Sequence, residues 1–448
     1  MNVNLERLFR DALDGEHGFP RSLLDELGQR FAEIQDEIRL RRLEGEYGFL
    51  DLGLQDSTIS GLTTFADTAG QAFDHILVLG IGGSALGTKA LVNALRPRAW
   101  NELDDEAREY FPRITVLENI DPVTVAAALR RIDPRRVLVN VVSKSGGTAE
   151  TLAQYLVVRH WLETAVGPEA APKHLVFTTD PVGGALRRIA DEEGIPAFEV
   201  PPAVGGRFSV LSPVGLLPAA LVGIDVVDIL RGARRALDAA GQENLRDNPA
   251  ALYAALHWAA DTRLGARTHV LMPYSDGLRE LSEWFRQLWA ESLGKRVNRH
   301  GEVVHSGPTP VGAIGATDQH SQVQLFMEGP HDKVITFVQV EDHGEDVLIP
   351  ARAGQPEALE YLGGKTLAGL LSAEQEATES ALAQAGRLSV RITLPRLDAQ
   401  EVGELLMFFQ LATGYAGAWY GVNPFDQPGV ELGKRLTFAA MGRQGYTK

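Results

Sequence analysis

The sequence predicts an α/β protein of two parallel-sheet domains bridged by helices, and three observations carry that prediction. Short, almost continuously apolar runs alternate with helix-length segments, as strands buried on both faces require. Two of those runs feed glycine- and hydroxyl-rich turns that open helices, the connection typical of a parallel sheet. The alternation occurs twice, from about residue 75 to 200 and from about 269 to 393, with a mostly helical stretch between.

Taken in order, residues 1 to about 45 read as polar, charge-rich helix. Leu23, Leu24, Leu27 and Phe31, continued by Ile34 and Ile38, form an apolar stripe that docks on the body of the protein. Residues 48–65 read as irregular. A strand is expected at His75–Leu79, then the turn Gly80-Ile-Gly-Gly-Ser84 and a helix over 86–95. Further strands are expected at Ile114–Leu117, Val137–Val142, Leu175–Thr178 and Phe198–Val200, with a helix from Thr148 to about Leu162. After Pro201-Pro202 come helical pieces over 213–222, 227–240 and 249–264. The second pattern starts at His269–Met272, contains a helix over 283–294, and has strands at Val334–Val340 and Leu388–Thr393. A C-terminal helical arm is expected from about Asp398. The expected division is 1–65, 66–230, 231–267, 268–397 and 398–448.

Composition narrows the function. A formal charge of −16 argues against nucleic acid and against an anionic membrane surface. It also requires that a site for an anion reverse the field locally. Without cysteine there is no disulfide, no thiolate nucleophile and no cysteine metal site. The first ten residues have no apolar signal core, and the most apolar region, 210–230, is broken by Ser212, Pro213, Pro218 and Asp225. A soluble cytoplasmic protein is the expectation.

Within Glu283–Lys295, Trp284, Leu288 and Trp289 have helical spacing, and Gly294 is a stop. Gln287 and Glu291 lie four apart, on one helix face. A carboxylate beside aromatic rings loses water and gains basicity; the alternative is a solvated Glu291 paired with Lys295. Gly80–Ser84 brings backbone N–H groups close to a ligand or simply makes a tight turn. Its Gly80, Gly82 and Ala85 lack the acidic partner of a dinucleotide fingerprint. Ser143-Lys144-Ser145-Gly146-Gly147-Thr148 gathers three hydroxyls, an ammonium and two glycines at one helix start, which describes a cradle for a single phosphate ester. The lysine precedes the glycines, so this is no nucleotide P-loop. Arg207, behind Gly205-Gly206, is a surface cation or a stabiliser of anionic charge. His320 opens an apparent helix, with His300 and His305 nearby, and Lys434 sits on the last one.

Together these pieces closely resemble the phosphoglucose isomerase (glucose-6-phosphate isomerase) family, of its shorter bacterial type. Three motifs carry the resemblance, in order, over most of the chain. They are Gly205-Gly-Arg-Phe-Ser209, the Gln287-x-x-x-Glu-Ser-x-Gly-Lys295 stretch, and Phe425-Asp-Gln-x-Gly-Val-Glu-x-x-Lys434. The resemblance implies two three-layer domains of the sugar-phosphate-isomerase type and interconversion of glucose 6-phosphate and fructose 6-phosphate. Gly83, Ser84, Ser143, Ser145 and Thr148 would bind the substrate phosphate end, with Lys144 beside them. Glu291 would be the base between C2 and C1, Arg207 would stabilise the cis-enediolate, and Gln287 would position substrate. His320 and Lys434 would assist ring opening, with His305 an open alternative. The resemblance further implies no metal, no organic cofactor, and a homodimer whose shared sites take His320 from the neighbouring subunit. Gly146-Gly147 falls where the family varies.

Three rivals fit less well. Dual-specificity phosphoglucose/phosphomannose isomerases are shorter and are not expected to carry the Gln287…Lys295 pattern. A sugar-phosphate regulator would show a helix-turn-helix and a basic face. An aminosugar synthase would need a nucleophilic cysteine.

Overall fold

A computed structural model of the chain describes residues 1–13, 16–52 and 56–446. The chain enters on a three-residue strand, β1 (Asn2–Asn4), and reaches its first helix, α1 (Leu23–Leu43), through two 3-10 turns. Helix was expected across the whole segment, but a three-residue strand is too short to show a period. α1 buries Leu23, Leu24, Leu27, Phe31 and Ile34, the expected stripe. The stretch expected to be irregular contains α2 (Asp56–Thr68); residues 53–55 lie outside the described residues.

The first sheet is built from β2 (His75–Leu79), β3 (Arg113–Leu117), β4 (Val137–Ser143), β5 (Leu175–Thr179) and β6 (Ala197–Glu199). The helices between them are α3 (Leu86–Leu95), α4 (Pro122–Arg131), α5 (Ala149–Val166) and α6 (Gly184–Glu193). Strand order is β3-β2-β4-β5-β6 and every pairing is parallel. The apolar runs have the expected cause: β4 is buried at every position. In β2, Ile76 and Val78 face the central core while Leu77 and Leu79 enter a second core on the far face. The order reverses between β2 and β4. In open α/β sheets that switch point, at the carboxyl ends of the strands, is where ligands bind.

Three helices form the bridge: α7 (Pro213–Leu221), α8 (Val226–Ala240) and α9 (Pro249–Leu264). The second sheet then begins with β7 (Thr268–Pro273) and the helix α10 (Arg279–Leu293). A hairpin of β8 (Lys295–Val297) and β9 (Val303–Ser306) follows, then β10 (Thr309–Gly312) and α11 (Val323–Glu328). The remaining elements are β11 (Lys333–Asp342), α12 (Glu357–Glu360), α13 (Leu367–Gln384), β12 (Leu388–Arg396), α14 (Ala399–Tyr420) and α15 (Glu431–Ala440). The order is β1-β12-β11-β7-β10, parallel except for β1 at one edge. β10 falls in glycine-rich sequence that reads as turns. Its Pro310 is tolerated because β10 is the other edge.

Within the helical arm expected from Asp398, α14 lies in the core while α15 buries none of its residues. α14 is buried along nearly its whole length and packs against α8 and α9, so the main core runs through it to both sheets. Two glycines make the crossing possible. A Cβ on Gly403 would stand 1.9 Å from the Ile229 carbonyl oxygen, and one on Gly232 would stand 1.8 Å from that of Gln400. Gly403→Ala must therefore push α14 off α8. Overpacking of this kind costs roughly 1–3 kcal/mol, read as a lower urea midpoint at unchanged slope.

Candidate active site

The site starts from α10. Its apolar face, Leu281, Trp284, Phe285, Leu288 and Trp289, is fully buried. That leaves Gln287 and Glu291 half-buried on the flank, where Gln287 Nε2 donates to Glu291 Oε1 at 3.2 Å. The rings do not dehydrate the carboxylate as the sequence reading expects. Phe285 stacks on Trp289, and the Glu291 side chain stays 35% exposed. Lys295 does not pair with that carboxylate either. Its ammonium donates to the Glu291 main-chain carbonyl at 2.8 Å.

The charged partner of Glu291 is Arg207, whose Nη1 lies 3.3 Å from Oε2. Arg207 is only 3% exposed. All five of its N–H donors find acceptors. Nε donates to Ser292 Oγ at 2.7 Å, and Nη1 also donates to Gln427 Oε1 at 2.8 Å. Nη2 donates to the carbonyls of Pro424 and Asp426. Burial lowers the guanidinium pKa, and the charges of Glu291 and Asp426 oppose that shift.

The β2–α3 turn closes on this group because it has no side chains in the way. A Cβ on Gly82, at φ +57°, would sit 2.8 Å from Gln287 Nε2. One on Gly83 would sit 2.3 Å from the Gly206 carbonyl. Gly83 and Ser84 are thereby held against the Arg207 turn, and Gly82 against Gln287. At the β4–α5 turn, Ser143 Oγ bonds Thr148 Oγ1 at 3.0 Å, so Thr148 does not cap α5 with its side chain. The first-turn N–H groups of α5 are left for an anion. Ser145, at the tip, is exposed. Lys144, expected beside the phosphate, braces this turn. Its ammonium donates to the carbonyls of Pro202 (2.7 Å) and Val204 (2.8 Å), tying this turn to the segment that leads into Arg207. Burial lowers its pKa.

A carboxylate and a buried guanidinium in contact beside an uncapped helix start suit proton transfer on a phosphorylated substrate. The sequence pattern described as phosphoglucose isomerase matches residues 55–444. The chain belongs to the phosphoglucose isomerase family. It is 45% identical over 447 residues to a glucose-6-phosphate isomerase of Carboxydothermus hydrogenoformans, covering 100% of this chain and 96% of that one. Its fold is similar to the crystal structure of a hypothetical protein from Thermus thermophilus, with a TM-score of 0.87 at 41% identity over 98% of this chain and 99% of that one. It is also similar to a glucose-6-phosphate isomerase of Chlamydia trachomatis, with a TM-score of 0.75 at 27% identity over 86% and 73%.

Two residues singled out in this phosphoglucose isomerase family member are not tied to Glu291 by any hydrogen bond or ion pair among the described residues. His320 ends a 3-10 turn (Thr317–His320) with its side chain exposed. The turn itself is firm: Gln319 bonds Tyr274 Oη at 2.8 Å, and Asp318 accepts the Ile314 N–H at 2.7 Å. Lys434, on α15, is 51% exposed and pairs with its own neighbour Glu431. α15 leads on to Phe438, Met441 and Arg443, which border a cleft of about 900 Å³ with Ser145–Gly147. His305 is exposed on β9. Ser292 and Gln427, the neutral partners of Arg207, were not singled out as candidates. Both lie inside the quoted motifs, which is the signal that was open to use.

Behind α10, Trp289 Nε1 donates to Nδ1 of buried His269 at 3.0 Å. Beside it, His257 is stacked on Tyr253 and bonds the Tyr253 carbonyl through Nδ1 at 2.9 Å. Burial pushes His269 well below the usual 6.5 and His257 down to about 4. Both histidines are neutral in the fold, whereas the unfolded chain binds their protons below 6.5. Stability contributed by the neutral forms is therefore present above pH 6.5 and lost as pH falls toward 4. The slope is about 1.4 kcal/mol per pH unit for each such group. Urea unfolding at pH 7, 6 and 5 should show this loss, and His257→Asn should flatten it.

Proposed function

We propose that this chain interconverts glucose 6-phosphate and fructose 6-phosphate through a cis-enediol intermediate, in glycolysis and gluconeogenesis. The observation that carries the reading is the contact of Glu291 with Arg207 and Gln287 against the Gly82-Gly83 turn. The substrate's phosphate end binds through Gly83, Ser84, Ser143, Ser145 and Thr148, at the uncapped start of α5. Lys144 holds that loop in place. Gln287 orients the open-chain sugar.

Glu291 takes the proton from C2 and returns it to C1. The chemistry needs one base acting at adjacent carbons and a fixed positive charge beside the oxyanion. General base action supplies roughly 10²–10⁴-fold and electrostatic stabilisation roughly 10²–10³-fold. Arg207 supplies the charge, already desolvated and already oriented. No step calls for a metal or an organic cofactor.

Ring opening is assigned to Lys434 and His320. The Lys434–Glu431 pair is exposed, and such pairs are weak enough to exchange for a ligand. His320 stands on a firm turn with an exposed side chain that has no partner among the described residues, which supports its serving a second subunit of a homodimer. Residues 66–230 and 268–397 are proposed as the two domains, and the cytoplasm as the compartment. Among the described residues no helix is long and apolar enough to cross a membrane.

Two experiments test this reading. Glu291→Gln should fold, fail to convert fructose 6-phosphate in a coupled assay, and lose solvent-deuterium exchange at C1 and C2. Near wild-type turnover would remove Glu291 as the base. Co-expression of Glu291→Gln with His320→Ala tests the shared site. A mixed dimer then has one site with both defects and one with neither. Random pairing makes about half the dimers mixed, so roughly a quarter of all sites should work. A purified mixed dimer without activity would place His320 in its own chain's site.

A further inference from the structure

Lys295 is the first residue of β8 and follows α10 by one glycine. Its side chain is 6% exposed. An ammonium has three donors, and three acceptors surround this one. They are the main-chain carbonyl of Glu291 at 2.8 Å, the main-chain carbonyl of Asp426 at 2.5 Å, and the Asp426 carboxylate at 3.1 Å. The Asp426 carbonyl also accepts from Arg207 Nη2 at 2.9 Å. Two buried cations thus grip the 424–427 turn, one from each side.

That turn holds Gln427 against Arg207, and it hangs between buried Pro424 and exposed Pro428. The turn's other ties are to its own segment, where the Gln427 carbonyl accepts from the Val430 N–H at 3.4 Å, and through the Phe425 ring, which also meets Tyr47 and Phe49. The Phe425 N–H bonds the Asn423 side chain within the same segment, and Phe425 packs on Phe208. The charges acting on the Lys295 ammonium are Asp426, Arg207 and Glu291, and Arg41, Arg296 and Arg299 line the cleft beside Asp426 and Pro428.

We infer that Lys295 is a positioning residue that clamps the 424–427 turn to the carboxyl end of the base-bearing helix, fixing Arg207 and Gln427 relative to Glu291. The inference rests on the isomerase reading for its kinetic consequence, but the clamp is a matter of structure. A helix-end lysine serving only the helix dipole would point into solvent. This one is buried and reaches 131 residues along the chain. Without it the turn relaxes, Arg207 loses the carbonyl it shares, and the base and the guanidinium drift apart. A misplacement of about 1 Å in a catalytic constellation costs on the order of 10²-fold. Substrate affinity is set elsewhere, because the Ser143–Thr148 cradle is fixed through Lys144 and not through this turn.

The test uses full-length Lys295→Met and Lys295→Gln in two assays. In Lys295→Met, kcat for fructose 6-phosphate should fall about 30–100-fold, with KM within about threefold of wild type because the cradle is intact. Hydrogen exchange in the peptide spanning 422–430 should quicken about tenfold as the turn loosens. Gln keeps two donors without the charge, so Lys295→Gln should restore part of kcat and most of the protection. Wild-type kcat and wild-type exchange in Lys295→Met would overturn the inference. So would a KM that rises in step with the loss of kcat. Should Lys295→Met not fold, Lys295→Gln alone decides: intermediate kcat with faster exchange is expected, and no change in either refutes the clamp. Absence of isomerase activity in the unmodified chain would defeat the function reading alone, because the exchange assay still tests the clamp.

Discussion

A guanidinium that is almost wholly out of water must be satisfied on every donor, and Arg207 shows how far a fold will go to do that. Leaving such a charge unpaired in the interior costs several kcal/mol. Its acceptors come from α10, 84–85 residues away in sequence, and from the 424–427 turn, 217–220 residues away. The cluster proposed as catalytic is thus a condition of folding here. The chain cannot bury Arg207 without bringing Glu291, Ser292 and Gln427 to it. The same constraint explains the glycines around it. Gly83 lies so near the Gly206 carbonyl that a methyl group there would push the first sheet off the arginine.

Much of the fold was legible because burial on both faces leaves a plain mark. β2, β4, β5, β7 and β11 are largely apolar runs with few polar interruptions, and the sequence places their ends to within a residue or two. What was missed is what leaves no such mark. β1 is three residues long. β10 sits in a sequence of glycines and prolines at a sheet edge. α14 reads as a terminal appendage because its central place depends on Gly232 and Gly403, and close helix crossings are a property of pairs.

The site divides along the same line. The pairing of Gln287 with Glu291 follows from helical spacing alone, and the hydroxyl- and glycine-rich Ser143–Thr148 turn follows from its composition. The bonds that organise the site do not, because their acceptors are main-chain carbonyls: Pro202 and Val204 for Lys144, Glu291 and Asp426 for Lys295, Pro424 and Asp426 for Arg207. Every residue has a carbonyl, so no side-chain pattern announces which will be used. Sequence therefore identifies the charged residues and leaves open which main-chain groups they hold, as with Lys144, which braces its own loop.

That choice of acceptor also resolves the conflict between an acidic protein and an anionic substrate. A carboxylate partner cancels a cation, whereas a carbonyl satisfies its hydrogen bonds and leaves its charge in place. Lys144 is hydrogen-bonded by carbonyls, with the Asp180 charge acting on it, and the carboxylates facing Arg207 and Lys295 are Glu291 and Asp426. Half-buried Lys144 and buried Arg207 and Lys295 thereby offset Glu291, Asp426 and Asp180, so the site is locally balanced within a chain of net charge −16. Surface acids more than about 8 Å away are screened at physiological salt, so the near field governs the approach of a phosphate dianion. The carbonyl-bound cations, more than the overall charge, set what the site attracts.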